Sequence, residues 1–172
     1  AKNLLDVAHS QERALVAQRR YRIGEYEFRE ADHEQIQTWA RMLGMDPEGV
    51  VWKLESSRKR HPWADEIYTD FRVEDGAIVS LVWDFDLLPL TDWAWGKGLQ
   101  IKRLGIVNAH SGTLPPLPEC LYELFCFEEH LTELDLTTTP GLQKLHCWNN
   151  QLTALNLTPV PGLQKLNCWN NQ

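Results

Sequence analysis

Long apolar runs are missing from this sequence. No stretch approaches the roughly 20 consecutive apolar residues that a membrane-spanning helix requires. The opening residues, AKNLLDVAHSQER, have neither a basic head nor a sustained apolar segment. The expectation is an unprocessed chain with no membrane insertion, cytoplasmic unless it is secreted as an effector by a route that leaves no such signal. Positive charge is scarce as well: 17 Lys and Arg face 24 Asp and Glu, for a net charge of −7. A nucleic-acid partner, which needs clustered cations to displace phosphate counterions, is therefore not expected. Cysteine is limited to 4 residues, none in the C-x-x-C spacing of zinc or redox sites.

The chemistry-bearing residues that remain do not gather into a reactive constellation. His61, Asp65 and Glu66 in RHPWADE read as a solvated linker rather than a catalytic cluster. Asp84, Asp86 and Asp92 in DFDLLPLTD hint at calcium, yet Leu88 occupies the fifth loop position and no glycine follows it. Cys120 and His110 can be drawn as nucleophile and base, but nothing orients the pair. The expectation is a protein that is not an enzyme, with no catalytic residue, metal or cofactor.

What the chain does contain is a near copy of itself. LQKLHCWNNQLTALNLTPVPG, from Leu142 to Gly162, is followed at once by LQKLNCWNNQ, and a step of 21 residues back reaches LYELFCFEEHLTELDLTTTPG at Leu121. Leu121, Leu142 and Leu163 fall in register, as do Leu124, Leu145 and Leu166, and Cys126, Cys147 and Cys168. Leu131, Leu134 and Leu136 return as Leu152, Leu155 and Leu157. If each copy carries a strand, alternation turns Leu145 and Cys147 inward and Lys144, His146 and Trp148 outward. The three repeat cysteines are then expected to be free, buried thiols acting as small hydrophobes. Asn150 and Asn171 leave the strand where the backbone turns, and a stacked amide there can satisfy buried N–H and C=O groups. The first copy has Glu129 at that position, which predicts an irregular turn.

The skeleton L-x-x-L-x-C-x-x-N-x-L resembles the leucine-rich repeat, and the resemblance implies one short strand of a parallel ladder and one return segment per copy. Upstream, LPPLPECLYEL (Leu114 to Leu124) resembles the L-P-x-L-P-x-x-L-x-x-L element of leucine-rich-repeat effectors that pathogenic bacteria inject into host cells. The return segment LTELDL is closer to the Cys-containing 21-residue repeats of bacterial surface and cytoplasmic proteins. The ligase domain that some such effectors carry has no counterpart here, so the resemblance implies the architecture and not the ligase activity.

Before the repeats, FRVEDGAIVSLVWDF has two strand-like runs around Asp75-Gly76, a strong hairpin signal, and IKRLGIVNAH places Ile101, Leu104, Ile106 and Asn108 nearly in register as a degenerate repeat. Earlier still, DHEQIQTWARMLG predicts a helix with Asp32 as N-cap and Gly44 as its stop, and DPEGVVWKLESS a second with Asp46 as cap and Pro47 at its first position. A further helix is expected within Asn3 to Arg19. The whole reads as α+β: a helical N-terminal region or module (1–66) capping a short leucine-rich-repeat solenoid with a parallel β-ladder (67–172). The solenoid divides into a hairpin cap and degenerate repeat (67–120), regular repeats (121–141 and 142–162) and a partial one (163–172).

The outward face of the ladder is the candidate site. Reading across the copies gives an aromatic row, Phe127, Trp148 and Trp169; a second row, Phe125, His146 and Asn167; and a third, Glu123, Lys144 and Lys165. Strands about 4.8 Å apart make the aromatics a continuous stripe. The candidate ligand-binding residues are Phe125, Phe127, Lys144, His146, Trp148, Lys165, Asn167 and Trp169. Apolar rings with adjacent polar groups suit a protein or peptide hot spot, and equally suit stacking of sugar rings in a carbohydrate-binding module. Alternatively the rings stack only on each other. If Trp148 points outward, its removal should cost much less than that of a core aromatic. An uncovered end of the third copy leaves Leu163, Leu166 and Cys168 partly open, with either further repeats or self-association as the expected cover.

Overall fold

A computed structural model describes residues 18–57, 70–90 and 98–172, together with positions 7, 9, 11, 14, 15 and 95. RHPWADE and Asp92 lie outside the described residues. The helix expected within Asn3 to Arg19 does so in large part, although the described positions 7, 9, 11, 14, 15 and 18 are helical. A small antiparallel hairpin precedes the two patterned helices: β1 (Tyr21–Ile23) pairs with β2 (Tyr26–Phe28). Three-residue strands around a lone glycine carry too little period to be read from sequence.

Helix α1 (Glu30–Leu43) buries Ile36, Trp39 and Ala40, and ends at Gly44, whose left-handed φ of 64° lets the chain turn back so that the Gly44 N–H meets the carbonyls of the last turn. Its start differs from the expectation. The N-cap is Arg29, and Asp32 lies inside the first turn with its carboxylate fully buried. Asp32 accepts hydrogen bonds from the backbone N–H of Ile78 at 2.9 Å and from the Arg29 guanidinium at 2.8 and 3.2 Å. A tertiary donor has thus claimed the oxygen that would have capped the helix. Helix α2 (Pro47–Ser57) begins as expected, with Asp46 Oδ1 accepting from the Gly49 N–H at 2.6 Å.

The remaining strands form a single six-stranded sheet in chain order: β3 (Arg72–Glu74), β4 (Ala77–Asp84), β5 (Arg103–Val107), β6 (Glu123–Phe125), β7 (Lys144–His146) and β8 (Lys165–Asn167). β3 and β4 are an antiparallel hairpin turned by Asp75 and Gly76 with φ of 49° and 76°. From β4 onward every pairing is parallel. The result is an α+β fold whose ladder coils as a β-solenoid. Leu124 and Leu145 align across the ladder at a step of 21 residues, whereas Leu104 aligns with Leu124 at a step of 20 and Leu81 with Leu104 at 23. Those unequal steps are why the period blurs in the sequence before residue 121.

One hydrophobic cluster runs without a break from Ile23, Phe28 and Trp39 through Leu81 and Trp83 to Leu145, Leu152 and Val160. Trp39, Trp83 and Trp95 meet edge to face, with centroids 4.9 to 6.1 Å apart, where the helices reach the ladder. Among the described residues no helix is long and apolar enough to cross a membrane.

Candidate functional site

The turn that leaves each strand fixes the site's geometry. Asn108, Glu128, Asn149 and Asn170 hold equivalent places, all with left-handed φ between 53° and 63°. Asparagine tolerates that region better than most residues, so the first Asn of each Asn-Asn pair is the one the backbone requires. Sequence reasoning had assigned a role only to the second. The 20-residue step places Asn108 in this left-handed column and Ala109 in the column of Asn150. The outer amides also form their own ladder, Asn170 donating to Asn149 and Asn149 to Glu128.

The second Asn does what the pattern predicts. Asn150 Oδ1 accepts from the N–H groups of Glu129 (3.1 Å) and Leu131 (2.9 Å), and its Nδ2 donates to the carbonyls of Cys126 (2.7 Å) and Cys147 (3.1 Å). Asn171 repeats part of this with Leu152, Cys147 and Cys168. Glu129 stands in the same column and accepts from the Ala109 N–H. The irregularity expected there falls on His130, whose φ of 56° has no counterpart at Gln151.

A carboxylate can accept in this column but cannot donate, and it is buried. Desolvation pushes the Glu129 carboxyl up to about 7, with the Asp84 charge acting in the same direction and the hydrogen bonds from Ala109 and Asn108 opposing. Because the folded value lies above the ordinary one of 4.5, the native state holds this proton more tightly than the unfolded chain. Its contribution to stability is complete below pH 4.5 and lost as the pH rises through about 7. Glu129→Gln keeps an acceptor for Ala109 and adds a donor. It is expected to remove most of that loss, about 2–3 kcal/mol, from the stability difference between pH 5 and pH 8. Urea midpoints of the two proteins across that range check it, and parallel pH profiles would count against it.

Of the four free cysteines, Cys126 and Cys147 are buried in the column beneath the strand face, and desolvation raises both thiols, Cys147 to about 12. Cys168 departs from the expectation of three buried thiols: it is exposed, because β8 has a neighbour on one side only. Asp84 accepts from the Asp86 N–H and from Asn108 Nδ2, so it closes the turn after β4. His110 pairs with Asp86 at 3.0 Å, both exposed, beside a cavity of about 510 Å³ lined by Phe85, Leu90, Leu114 and Pro115.

All eight candidate residues come together on the outward face. Phe127 stacks on Trp148 at 4.2 Å and 8°, Trp148 on Trp169 at 5.0 Å and 4°, and Phe125 on His146 at 4.6 Å and 13°. The aromatic stripe therefore exists, yet it is not an open one. Phe125, Phe127 and Trp148 form a second hydrophobic cluster, separate from the main core. Trp148 is only 8% exposed, whereas Trp169, with a ring on one side, is 58% exposed. Lys165 is exposed, while Lys144 and Asn167 are partly so. The accessible part of the candidate site is Trp169 with those neighbours.

The third row contains a residue that the 21-residue step misses. Arg103, aligned with Glu123 at a step of 20, donates to the Glu123 carboxylate at 2.9 Å. Lys144 Nζ and His146 Nε2 approach the other oxygen at 3.7 and 3.8 Å. Burial, then the charge of Lys165, lowers the His146 value, with Glu123 opposing. The imidazole is therefore neutral at pH 7.

No protein-family model, curated protein or solved structure matches this chain at a significant level.

Proposed function

We propose that this chain is a binding scaffold of the leucine-rich-repeat kind, without catalysis of its own, that engages a protein or peptide on the strand face of its ladder. The observation that supports this reading best is Trp169. A broad apolar ring is presented to solvent at 58% exposure on a stacked column, just past the strand that carries the ammonium of Lys165 and the amide of Asn167. Rigid aromatic area with polar groups beside it for orientation is the composition of an interface anchor. The buried remainder of the column holds the ring in place, so little conformational entropy is lost when a partner covers it.

A flat exposed indole also suits a sugar ring, and one experiment separates the two readings. Selection of a displayed random-peptide library against the intact chain should enrich binders that are lost on Trp169→Ala, while oligosaccharides leave Trp emission unchanged. Quenching or a shift by oligosaccharides, with no peptide enriched, would replace the peptide reading by the carbohydrate one.

A further inference from the structure

The charge on the strand face has the opposite sign to that of the chain. The chain carries −7, yet the row that crosses β5, β6, β7 and β8 reads Arg103, Glu123, Lys144 and Lys165: three cations against one carboxylate. That carboxylate is already engaged. Glu123 is buried, with Arg103 on one oxygen and Lys144 and His146 near the other. Among the described residues no carboxylate pairs with Lys165, which is exposed. His146 is only 9% exposed and its Nε2 is buried 3.8 Å from Glu123, so the imidazole belongs to the support under the face and not to its open surface.

We propose, building on the strand-face reading above, that the segment recognised there is acidic, with its carboxylates on Lys144 and Lys165 and an apolar residue against Trp169. Each part of the face asks for this chemistry. Lys165 is exposed with no carboxylate beside it among the described residues, so an anion can reach its ammonium directly. Lys144, at 3.7 Å from Glu123 and 5.4 Å from the Tyr122 ring centroid, has ammonium donors to spare. A basic segment would meet like charge on three side chains, and a neutral one would leave Lys165 unpaired while stripping it of water.

The same library selection tests this through the composition of the enriched peptides. Enrichment in Asp and Glu is expected. The leading peptide, synthesised, should lose at least about tenfold in affinity against Lys144→Glu/Lys165→Glu, retain it against the Lys→Arg pair, and weaken as salt is raised. Both lysines have solvent-accessible side chains, so a melting curve matching the parent confirms that the variants are folded, with Lys165→Gln as the milder check. Enriched peptides that are neutral or basic, and that bind the charge-reversed protein as well as the parent, overturn the inference. If those same peptides are lost on Trp169→Ala, the strand-face reading survives. Failure to enrich any peptide overturns both.

Discussion

Asn150→Ala is expected to destabilise the solenoid by at least about 4 kcal/mol, and so to unfold much of it under mild conditions. The amide is buried and bridges two successive turns, accepting from Glu129 and Leu131 N–H groups and donating to the Cys126 and Cys147 carbonyls. Alanine leaves three of those groups, the Glu129 and Leu131 N–H and the Cys126 carbonyl, without a partner, while the Cys147 carbonyl keeps Asn171 Nδ2 at 3.0 Å. Each buried unmatched group costs about 1–3 kcal/mol, less where water enters. Asn150→Asp makes the cause visible. The carboxylate keeps the acceptor for the two N–H groups but turns a second acceptor toward two carbonyl oxygens, so the variant should be less stable at neutral pH than in acid. Asn171→Ala is the control: its amide accepts from the Leu152 N–H and donates to the Cys147 and Cys168 carbonyls, but these bonds are part-buried or exposed. Cys147 keeps Asn150 and water can replace the rest, so it should cost no more than about 1–2 kcal/mol. Urea unfolding followed by Trp emission reads all three. A shift below about 1 kcal/mol for Asn150→Ala would mean that water or backbone adjustment satisfies the turn without the amide.

The parts of the molecule visible in the sequence are those where one residue type answers one local demand. The 21-residue register of Leu and Cys named the ladder, Asp75-Gly76 named the hairpin, and Gly44 and Pro47 bounded the helices. What escaped were demands set by distant neighbours. Asp32 looks like a cap because the local pattern contains no hint that Ile78, 46 residues away, will donate to it. Arg103 drops out of the charged row because β5 and β6 are separated by 20 residues instead of 21. The outward face was placed in the right register with the wrong accessibility: alternation says which side of the sheet a ring is on, and only packing says whether neighbouring rings then bury one another.

Trp148→Ala is expected to cost about 3 kcal/mol or more, in contrast to what an outward-pointing residue would suggest, and Trp169→Ala no more than about 1.5 kcal/mol. The two residues hold the same place in successive copies and differ only in their surroundings. Trp148 has rings on both sides, Phe127 at 4.2 Å and Trp169 at 5.0 Å, so truncation opens a gap in the column, unstacks two pairs and wets Phe127. Trp169 has one stacked neighbour and is already largely in water. Trp148→Phe keeps a ring between the neighbours and should recover more than half of the loss. Chemical denaturation gives the stabilities. Affinity for the selected peptide, measured on folded protein alone, should follow the opposite order, falling further for Trp169→Ala than for Trp148→Phe. If instead both alanine variants cost alike and weaken the peptide alike, the column acts as one open surface, and anchor and support cannot be assigned to different rings.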